Sequence, residues 1–484
     1  MSSHGKSKTI IHKSDWDGIS LQHKKVAGLD LSSTFHCCYV LPSLVPAEKS
    51  NVVDGGFLCN FDADQPGLES LVLLLKSFKV EEVIIESTGI FWFGVYRMLV
   101  TNGFEVCLVN PVHTRNIAGK KTDENDARWL CRLFAYGLVK KSFVLSEESW
   151  ELRDLMRQRD QLIKDKSRYT TLMISELDKM NVKLHKVISD VTGSGGMEFI
   201  RFIAQGVPSS DFDWTSLKGK WMRINNEELQ KAMKGAYSRH GCFLLQQHLE
   251  SFDNICAQIE SLDIYVEKIL CSITHKISIQ EVEAIAEDAT RFIKPLRGKK
   301  GKLSATAVSK NAPLYDLKYY LEQWAGVDMT TLPGMQVATL LNIFSEIGTD
   351  LQEKFPTSKH FTSWLQLAPN PKISAGKVIG KKRVTSVNRV HELFRNCAYS
   401  LSGSKGYFGQ YYRSIKIRSN GRTANKALAR KLAVIFYNML LQKETFKEEM
   451  LKPTKTQSNK VLNRLRKKAE QQGYTLVKIQ DKAA

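Results

Sequence analysis

The sequence predicts an α/β domain at the N-terminus, a long helical coiled-coil middle and a mostly α C-terminal domain. Three observations support this division. Short apolar strands alternate with amphipathic helices up to about residue 146, and a heptad-like repeat follows between Phe252 and Ile269. Beyond residue 323 the apolar stretches have the length and spacing of helices. A chain of 484 residues also exceeds what one hydrophobic core usually organises, so several domains are expected.

The N-terminal elements follow one another as three strands, helix, strand, helix, strand and helix. The predicted strands are Lys25 to Asp30, Phe35 to Leu41, Gly55 to Phe61, Val83 to Glu86 and Phe104 to Val109. The predicted helices cover Leu68 to Phe78, Phe91 to Thr101 and Asp123 to Tyr136. This is the order of a ribonuclease-H-like fold, in which an antiparallel set of strands is extended by parallel strands through right-handed crossovers.

The middle of the chain is predicted to contain two long helices that pair. Apolar positions with interspersed Arg and Lys run from Glu151 to Met180. In the second helix the apolar residues step by three and four, the heptad rule of a coiled-coil seam. These residues are Phe252, Ile255, Ile259, Leu262, Val266 and Ile269. Between the helices lies a polar insert over 185–236, in which Gly193 to Gly196 is expected to form a loop. The seam also predicts self-association.

These patterns divide the chain into six segments. They are a flexible basic arm (1–24), an α/β domain (25–146), paired helices that include the insert (147–275), a basic linker (276–322), a C-terminal domain (323–450) and a basic tail (451–484). The arm has few apolar residues, and the linker and the tail are rich in Lys and Arg. None of these three segments is therefore expected to bury a core.

The charge of the chain favours a polyanionic partner. Lys and Arg number 70 against 50 Asp and Glu, which leaves a net charge of +20. Phosphate contacts dominate nucleic-acid binding, although a merely soluble basic protein can have the same composition. The nine cysteines form no CxxC pair and no zinc-type spacing, which argues against a disulfide framework and a zinc site. The polar N-terminus and the lack of a long apolar run predict neither export nor a membrane span.

Four carboxylates are candidates for a metal site. Asp30 and Glu86 each end an apolar strand, so they meet at one edge if those strands are parallel neighbours. Asp123 and Asp126 are three residues apart at the start of a helix and share a face. Four such groups repel one another unless a cation neutralises them, and oxygen ligands select Mg²⁺ or Mn²⁺ over zinc. Two ions can hold both sides of a phosphodiester. Taken singly, each residue is more often a turn or helix-cap residue.

Short motifs in both halves of the chain resemble one known family. In the N-terminal half they are Gly28 to Ser32, Ile85 to Gly89, Val109 to Pro111 and Lys121 to Ala127. In the C-terminal half they are Gly326 to Asp328, Leu332 to Gly334, His360 to Leu365, Ile373 to Lys377 and Lys431 to Ala433. Together they resemble the DEDD transposases of insertion-sequence family one-ten.

The resemblance implies a recombinase in which a RuvC-like metal site cooperates with a serine nucleophile and a structured guide (bridge) RNA. The metal site would be formed by the four carboxylates, and the family's Ser-Gly-Gly-Lys motif places the nucleophile at Ser374. A covalent phosphoserine would conserve bond energy for rejoining the strands. The sequence departs from the motif at Ala375, where glycine is usual, which limits the backbone freedom of this loop. Without the resemblance, Ser374 is an ordinary loop serine.

Several cations are predicted to contact DNA or RNA phosphates. They are Lys120, Lys121, Lys377, Lys381, Lys382, Arg383 and Arg389. As a set they are equally compatible with a solvated surface. Further along, four aromatic residues lie among basic ones, and either stacking on unpaired bases or packing in a core would account for them. These residues are Tyr407, Phe408, Tyr411 and Tyr412.

The favoured function is that of an RNA-guided DNA transposase of a mobile insertion element. Its partners would be the element ends, a target site and the guide RNA, and it would work as a dimer to tetramer in the bacterial cytoplasm, at the nucleoid. The alternative is a structure-selective endonuclease (junction resolvase) that uses the same carboxylates and water. A non-catalytic nucleic-acid binder is a third possibility. An ATPase of the actin-like fold is a fourth, but the Gly-rich phosphate loops that it would need are not found.

Overall fold

A computed structural model gives the fold of the chain. It describes residues 20–45, 52–87, 89–114, 123–139, 141–145, 147–207, 225–277, 279–282, 311, 313, 315–369, 371–375, 377–381, 388–447, 451 and 455–476, and leaves out a few side chains within these ranges. The chain divides into two compact units, Met1–Val144 (unit 1) and Leu145–Ala484 (unit 2). Most of the predicted arm (1–24) and of the predicted linker (276–322) lies outside the described residues.

Unit 1 is built on a mixed sheet of six strands. They are β1 (Val26–Leu31), β2 (Phe35–Val40), β3 (Val52–Val53), β4 (Gly56–Asp62), β5 (Glu82–Glu86) and β6 (Glu105–Val109). Their order is β3-β4-β2-β1-β5-β6; β1, β5 and β6 run parallel, and the other neighbours are antiparallel. The α/β prediction is confirmed, and the arrangement fits a ribonuclease-H-like domain. Strand β3 is not among the predicted strands, because two residues carry no periodic signal.

Both faces of the sheet are covered by helices. These are α1 (Gln65–Ser77), α2 (Trp92–Thr101), α3 (Pro111–Thr114) and α4 (Asp123–Ala135). Successive residues of a strand point to opposite faces, so each face contributes to its own core. Leu29 and Ile85 belong to the core that includes α1 and α2. Ile84 belongs to the core on the opposite face, together with Leu130 of α4.

Helix α4 lies directly on β1 at Gly28. A methyl group at this position would be 2.4 Å from the carbonyl oxygen of Ala127 and 2.7 Å from the backbone nitrogen of Cys131. Both atoms belong to the helix backbone, so they cannot move aside without shifting α4. The close approach of helix and strand therefore requires a glycine here.

The turn between β3 and β4 holds α4 from a second side. Asp54 and Gly55 have φ values of 49° and 80°, and two successive positive φ values are those of a type I′ hairpin turn. The carboxylate of Asp54 accepts hydrogen bonds from Arg128 at 2.8 Å and from Arg132 at 3.1 Å. Both arginines lie on α4, so the helix is fixed by the turn as well as by the sheet.

Unit 2 is almost wholly helical in its described part. Its longer helices are α5 (Glu147–Lys179), α7 (Ser194–Ala204), α8 (Asn226–Met233), α9 (Arg239–His275), α10 (Leu317–Ala325), α11 (Val337–Ile347), α14 (Arg389–Ser400), α15 (Tyr407–Arg418), α16 (Gly421–Gln442) and α17 (Lys455–Gln471). The shorter ones are α6 (Leu184–Val187), α12 (Leu351–Lys354) and α13 (Ser358–Trp364). A hairpin of β7 (Pro371–Ser374) and β8 (Lys377–Lys381) lies between α13 and α14. This content agrees with the predicted mostly α C-terminal domain.

The long helices α5 and α9 pack against each other in opposite directions. Arg159 donates to the two carboxylate oxygens of Asp263 at 2.5 and 2.9 Å, and the Lys166 ammonium lies 5.6 Å from the ring centre of Phe252. Phe252 and Val266, which belong to the predicted seam, are buried. The seam is therefore used within the chain and gives no separate reason for self-association. A regular coiled-coil packing of the two helices stays a prediction.

Three segments differ from the expectations. Gly193 to Gly196 is the start of α7 rather than a loop, because a methyl group at Gly196 would lie 2.3 Å from the carbonyl oxygen of Val191 and glycine permits this contact. Helix α10 begins at Leu317, inside the segment predicted as linker (276–322). Helix α17 lies within the predicted tail (451–484). No helix in the described part of the chain is long and apolar enough to cross a membrane.

We expect Gly28→Ala to lower the free energy of unfolding by about 1–3 kcal/mol, because the added methyl group overlaps the backbone of α4. The matched control is Gly94→Ala in α2, where a methyl group meets no atom within 4 Å and alanine favours the helix. Urea and thermal unfolding, followed by circular dichroism, measure both variants. Equal midpoints for the two would contradict the role given to Gly28.

Candidate catalytic site

Asp30 and Glu86 are neighbours at the carboxyl edge of two parallel strands. β1 and β5 pair in a register that sets Leu29 beside Ile85, and the next residues along the two strands are Asp30 and Glu86. At equal register in parallel neighbours, side chains point to the same face of the sheet. Both residues are half-buried. The strand adjacency that the predicted metal site requires is therefore present.

Helix α4 brings Asp126 to the same face. The residues two positions before Asp30 and Glu86 lie under α4, and alternate residues of a strand share a face, so these two carboxylates point to the α4 side. Asp126 lies in the first turn of α4, next to Ala127, whose carbonyl approaches Gly28. Three of the four predicted carboxylates thus belong to one side of the sheet.

Thr114 is a residue of this edge that the sequence analysis missed. Its hydroxyl oxygen is 3.2 Å from Oε2 of Glu86 and 3.1 Å from the carbonyl oxygen of Pro111, and it donates to one of them at a time. Thr114 itself is buried. Pro111 could have indicated the start of a short helix here. Spacing along the chain, however, does not show that the hydroxyl of Thr114 reaches a carboxylate on β5. The contact restricts the orientation of Glu86.

The donor atoms at this edge suit a hard divalent cation. Mg²⁺ and Mn²⁺ prefer carboxylate oxygens. Thiols on the same face do not compete, because burial raises the pKa of Cys107 to about 11 and likewise raises the pKa of Cys131, so both stay protonated at neutral pH. Among the described side chains, no three His, Cys, Asp or Glu residues are grouped so as to hold a metal ion. Asp30, Glu86 and Asp126 are among these described side chains, and the side chain of Asp123 lies outside the described part, so the four-carboxylate metal site stays a prediction.

Ser374 lies at the tip of an exposed hairpin in unit 2. Its partner across the hairpin is Lys377, and two residues connect them. Both Ser374 and Lys377 are exposed to solvent. Ala375 has a φ of 46°, in the left-handed region that costs a residue with a Cβ roughly 1–2 kcal/mol. The departure from the family's glycine at this position therefore strains the turn without removing it.

Two hydrogen bonds close the base of this hairpin. The side-chain amide of Asn388 donates to the carbonyl oxygen of Trp364 at 3.2 Å. The Nδ1–H of His391 donates to the carbonyl oxygen of Leu365 at 2.6 Å. Burial lowers the pKa of His391, so its imidazole is neutral at neutral pH. The segments that precede β7 and follow β8 are thus joined where they leave the helices.

The predicted phosphate-binding cations differ in whether the structure describes them and in how exposed they are. Lys377 is exposed beside Ser374, where a phosphate could reach it. The described residues do not include Lys120, Lys121, Lys382, Arg383 or the side chain of Lys381. Phosphate contacts by these five residues stay predictions.

Arg389 is held inside unit 2. Its guanidinium pairs with the carboxylate of Asp160 and donates to Oδ1 of Asn342 at 2.9 Å and to Oε1 of Glu346 at 3.4 Å. Arg157 donates to the same Glu346 through bonds of 2.9 and 2.8 Å. The side chains of Arg389 and Glu346 are only 21% and 8% exposed. These contacts favour a structural role for Arg389 over the expected phosphate contact, because its partners lie on α5 and α11, far away in sequence.

The chain is similar to transposases in both units. Residues 27–182 match a family model of DEDD transposases of the IS110 type, described as Transposase. Residues 328–413 match the family model described as Transposase IS116/IS110/IS902 family. The first match contains all four predicted carboxylates, and the second contains the hairpin with Ser374. No curated protein matches the chain in sequence.

We expect Arg389→Gln and Lys377→Gln to have opposite effects. Arg389→Gln should lower the free energy of unfolding by about 2 kcal/mol, because it leaves the shielded Glu346 and Asp160 with fewer partners. Lys377→Gln should change it by no more than about 0.5 kcal/mol but weaken binding to DNA. Urea unfolding and DNA titration of both variants measure this. A stable Arg389→Gln variant with weakened DNA binding would restore the phosphate role of Arg389.

Proposed function

Because the chain carries both transposase segments of the IS110 family, we propose that it cuts and rejoins DNA as the transposase of a mobile insertion element, guided by an element-encoded RNA. The observation that supports this most directly is the register of β1 and β5, in which Asp30 and Glu86 are neighbours on the face covered by α4. The net charge of +20 suits partners that are polyanions.

The proposed metal ligands are Asp30, Glu86, Asp123 and Asp126, with Mg²⁺ or Mn²⁺ as the ion and two ions at the full site. When bound, such ions make a DNA phosphate more electrophilic and favour deprotonation of an attacking hydroxyl. The chain's own contribution is to bring the carboxylates together and to orient them. Thr114 restricts Glu86, and the approach of α4 at Gly28 sets the position of Asp126.

Ser374 is the proposed nucleophile. Its Oγ forms a bond to a DNA phosphorus while the bond from that phosphorus to the leaving strand breaks; the serine proton is lost and the leaving oxygen gains one. A hydroxyl of another strand then loses its proton and attacks the phosphoserine, and the bond from phosphorus to Oγ breaks while Oγ takes up a proton. Each step exchanges one phosphoester bond for another, so the strands are rejoined without an external energy source. The exposure of Ser374 and its position opposite Lys377 support access of a DNA phosphate.

The proposed working assembly is a dimer at each DNA site and a tetramer for the exchange. Joining two DNA ends to a target needs at least two active centres, and one chain has one Ser374 and one set of carboxylates. The need for two active centres supports a dimer or tetramer. The apolar seam of α9 does not, because it packs on α5 of the same chain. The proposed setting is the bacterial cytoplasm, at the nucleoid.

We expect Ser374→Ala and Asp30→Asn each to abolish a covalent adduct between the protein and DNA, by at least about 1,000-fold. The purified chain with its copurified RNA is incubated with labelled DNA that carries the joined element ends, with Mg²⁺ or with EDTA. Denaturing electrophoresis then separates free DNA, cleaved DNA and DNA bound to protein. The wild-type adduct should form only with Mg²⁺.

Ser167→Ala is the matched control, because Ser167 is an exposed serine of unit 2 on α5. It should form the adduct like the wild type, and all variants should unfold at the wild-type midpoint. If Ser374→Ala still cleaves the DNA with Mg²⁺, the protein is a metal-dependent endonuclease that uses water. If Asp30→Asn keeps its activity, the carboxylate site is wrong.

We expect the chain, when it is produced together with its whole element, to purify as a dimer or larger assembly that contains an RNA of discrete length. Light scattering during size-exclusion chromatography gives the protein and nucleic-acid masses, and sequencing identifies the RNA. Treatment with ribonuclease should reduce binding to DNA of the matching sequence. An RNA-bound monomer that carries out the exchange would contradict the proposed assembly, and an active protein without RNA would contradict guidance.

A further inference from the structure

One segment of unit 2 has cations but no acids. Between Glu392 and Glu444 the sequence contains ten Lys or Arg residues and neither Asp nor Glu. The whole chain has 50 acidic residues in 484, so about five would be expected in a segment of this length. The segment forms most of α14 and all of α15 and α16. A segment without carboxylates does not neutralise its own cations, and its charge is complementary to a polyanion.

The cations of this segment lie away from the core. The inner side of α16 is apolar, with Leu428, Leu432 and Phe436 fully buried. Arg418 at the end of α15 and Arg422 at the start of α16 are exposed. No ion pair involves either of them in the described part of the chain. Arg418 donates through Nε to the carbonyl oxygen of Ser414 at 2.9 Å, which leaves its other nitrogens for a second partner.

An aromatic pair lies beside these cations. The rings of Tyr407 and Tyr411, one turn apart on α15, have centres 6.2 Å apart and planes inclined by 14°. The Lys431 ammonium lies over both rings, 4.5 and 5.1 Å from their centres, and it donates to the hydroxyl of Tyr407. Tyr407 is 40% exposed, whereas its neighbour Phe408 is buried. Helix α15 therefore directs one ring into the core and presents another to solvent.

The aromatic pair and Arg418 share one side of α15. Tyr407, Tyr411 and Arg418 are separated by four and seven residues, which is the spacing of one helix face. The Nε of Arg430, on α16, is buried and makes no hydrogen bond in the described part of the chain. Tyr407, Tyr411, Arg418, Arg422, Arg430 and Lys431 form what we call the α15/α16 surface.

We propose that the α15/α16 surface binds single-stranded DNA. Arg418 and Arg422 neutralise phosphates, and the outer face of Tyr407 stacks on an unpaired base, as aromatic side chains do in proteins that bind single strands. The choice of DNA rests on the proposed transposase function, because strand exchange exposes unpaired bases at the site of cutting. Most of these residues follow the end of the second family match at residue 413.

The test measures binding of the full chain to a short labelled DNA strand, to the same sequence as a duplex and to the same sequence as RNA. EDTA is present throughout, so that binding is independent of metal and of cleavage. Arg418→Gln with Arg422→Gln should weaken single-stranded DNA binding about 10-fold and reduce the slope of log K against log salt by about 1.4. Tyr407→Ala should weaken it by roughly 10-fold or more and leave the slope and the duplex affinity unchanged.

Two controls match these variants. Lys234→Gln with Arg239→Gln removes the same charge from exposed positions near the start of α9, and Tyr319→Ala removes an exposed tyrosine from α10. Neither should change binding. Wild-type affinity in the Arg418 and Arg422 variant, or an equal loss for duplex and single strand in Tyr407→Ala, would overturn the proposal. A loss confined to RNA would also overturn it and identify RNA as the ligand.

Failure here is distinguishable from failure of the proposed function. Binding in EDTA requires neither the carboxylates nor Ser374, whereas formation of the protein–DNA adduct requires both. A chain that forms the adduct but binds single strands without the α15/α16 surface is a transposase that lacks this site. A chain that binds single strands through the surface but forms no adduct lacks the proposed chemistry.

Discussion

The contact between α4 and β1 at Gly28 is the constraint on which the N-terminal unit depends. Because Gly28 has no side chain, the carbonyl of Ala127 can lie against the strand. The parallel pairing of β1 with β5 makes Asp30 and Glu86 neighbours, and the position of α4 decides whether Asp126 joins them. A glycine two residues before Asp30 thus sets the geometry of the proposed metal site, in which it supplies no ligand. The ion pairs of Asp54 with α4 reinforce the same contact.

In the C-terminal unit too, residues that are not proposed to react hold the candidate residue. Contacts of Asn388 and His391 support the hairpin that carries the exposed Ser374. Ser374 is at the tip of a hairpin whose base is closed by Asn388 and His391. Arg389 lies between these two residues and binds Asp160 and Glu346, so the first turn of α14 is joined to α5 and α11. A side chain close to the serine in sequence therefore fixes the root of the hairpin. The root of the hairpin is thus held by buried contacts, whereas Ser374 at its tip is exposed to solvent.

The sequence alone predicted those elements whose pattern lies within a few neighbouring residues. Alternation and helical spacing predicted the main strands and helices of unit 1, and the strand ends predicted that Asp30 and Glu86 would be neighbours. Several of the missed features depend on contacts that local patterns do not show. Thr114 of α3 donates to a carboxylate on β5, Arg389 pairs with residues of α5 and α11, and Gly196 lies too close to the backbone of Val191 for a side chain. The sequence around each of these residues resembles that of an ordinary helix end, loop or basic surface. The sequence alone therefore could not distinguish their structural roles from these common ones.

The two proposed DNA contacts have opposite charge: the carboxylate edge is negative and the α15/α16 surface is positive. Clustered carboxylates repel a phosphate by themselves, so DNA can approach Asp30 and Glu86 closely only when cations neutralise them. The proposed α15/α16 surface belongs to a segment without Asp or Glu, so it should attract phosphate directly, with a strength that depends on salt. The two proposals therefore imply that DNA capture does not require a divalent metal, whereas close contact at the carboxylate edge does. Under the two proposals, this difference separates holding a strand from cutting it in a chain with a net charge of +20, and it ties the proposed chemical step to the metal rather than to binding itself.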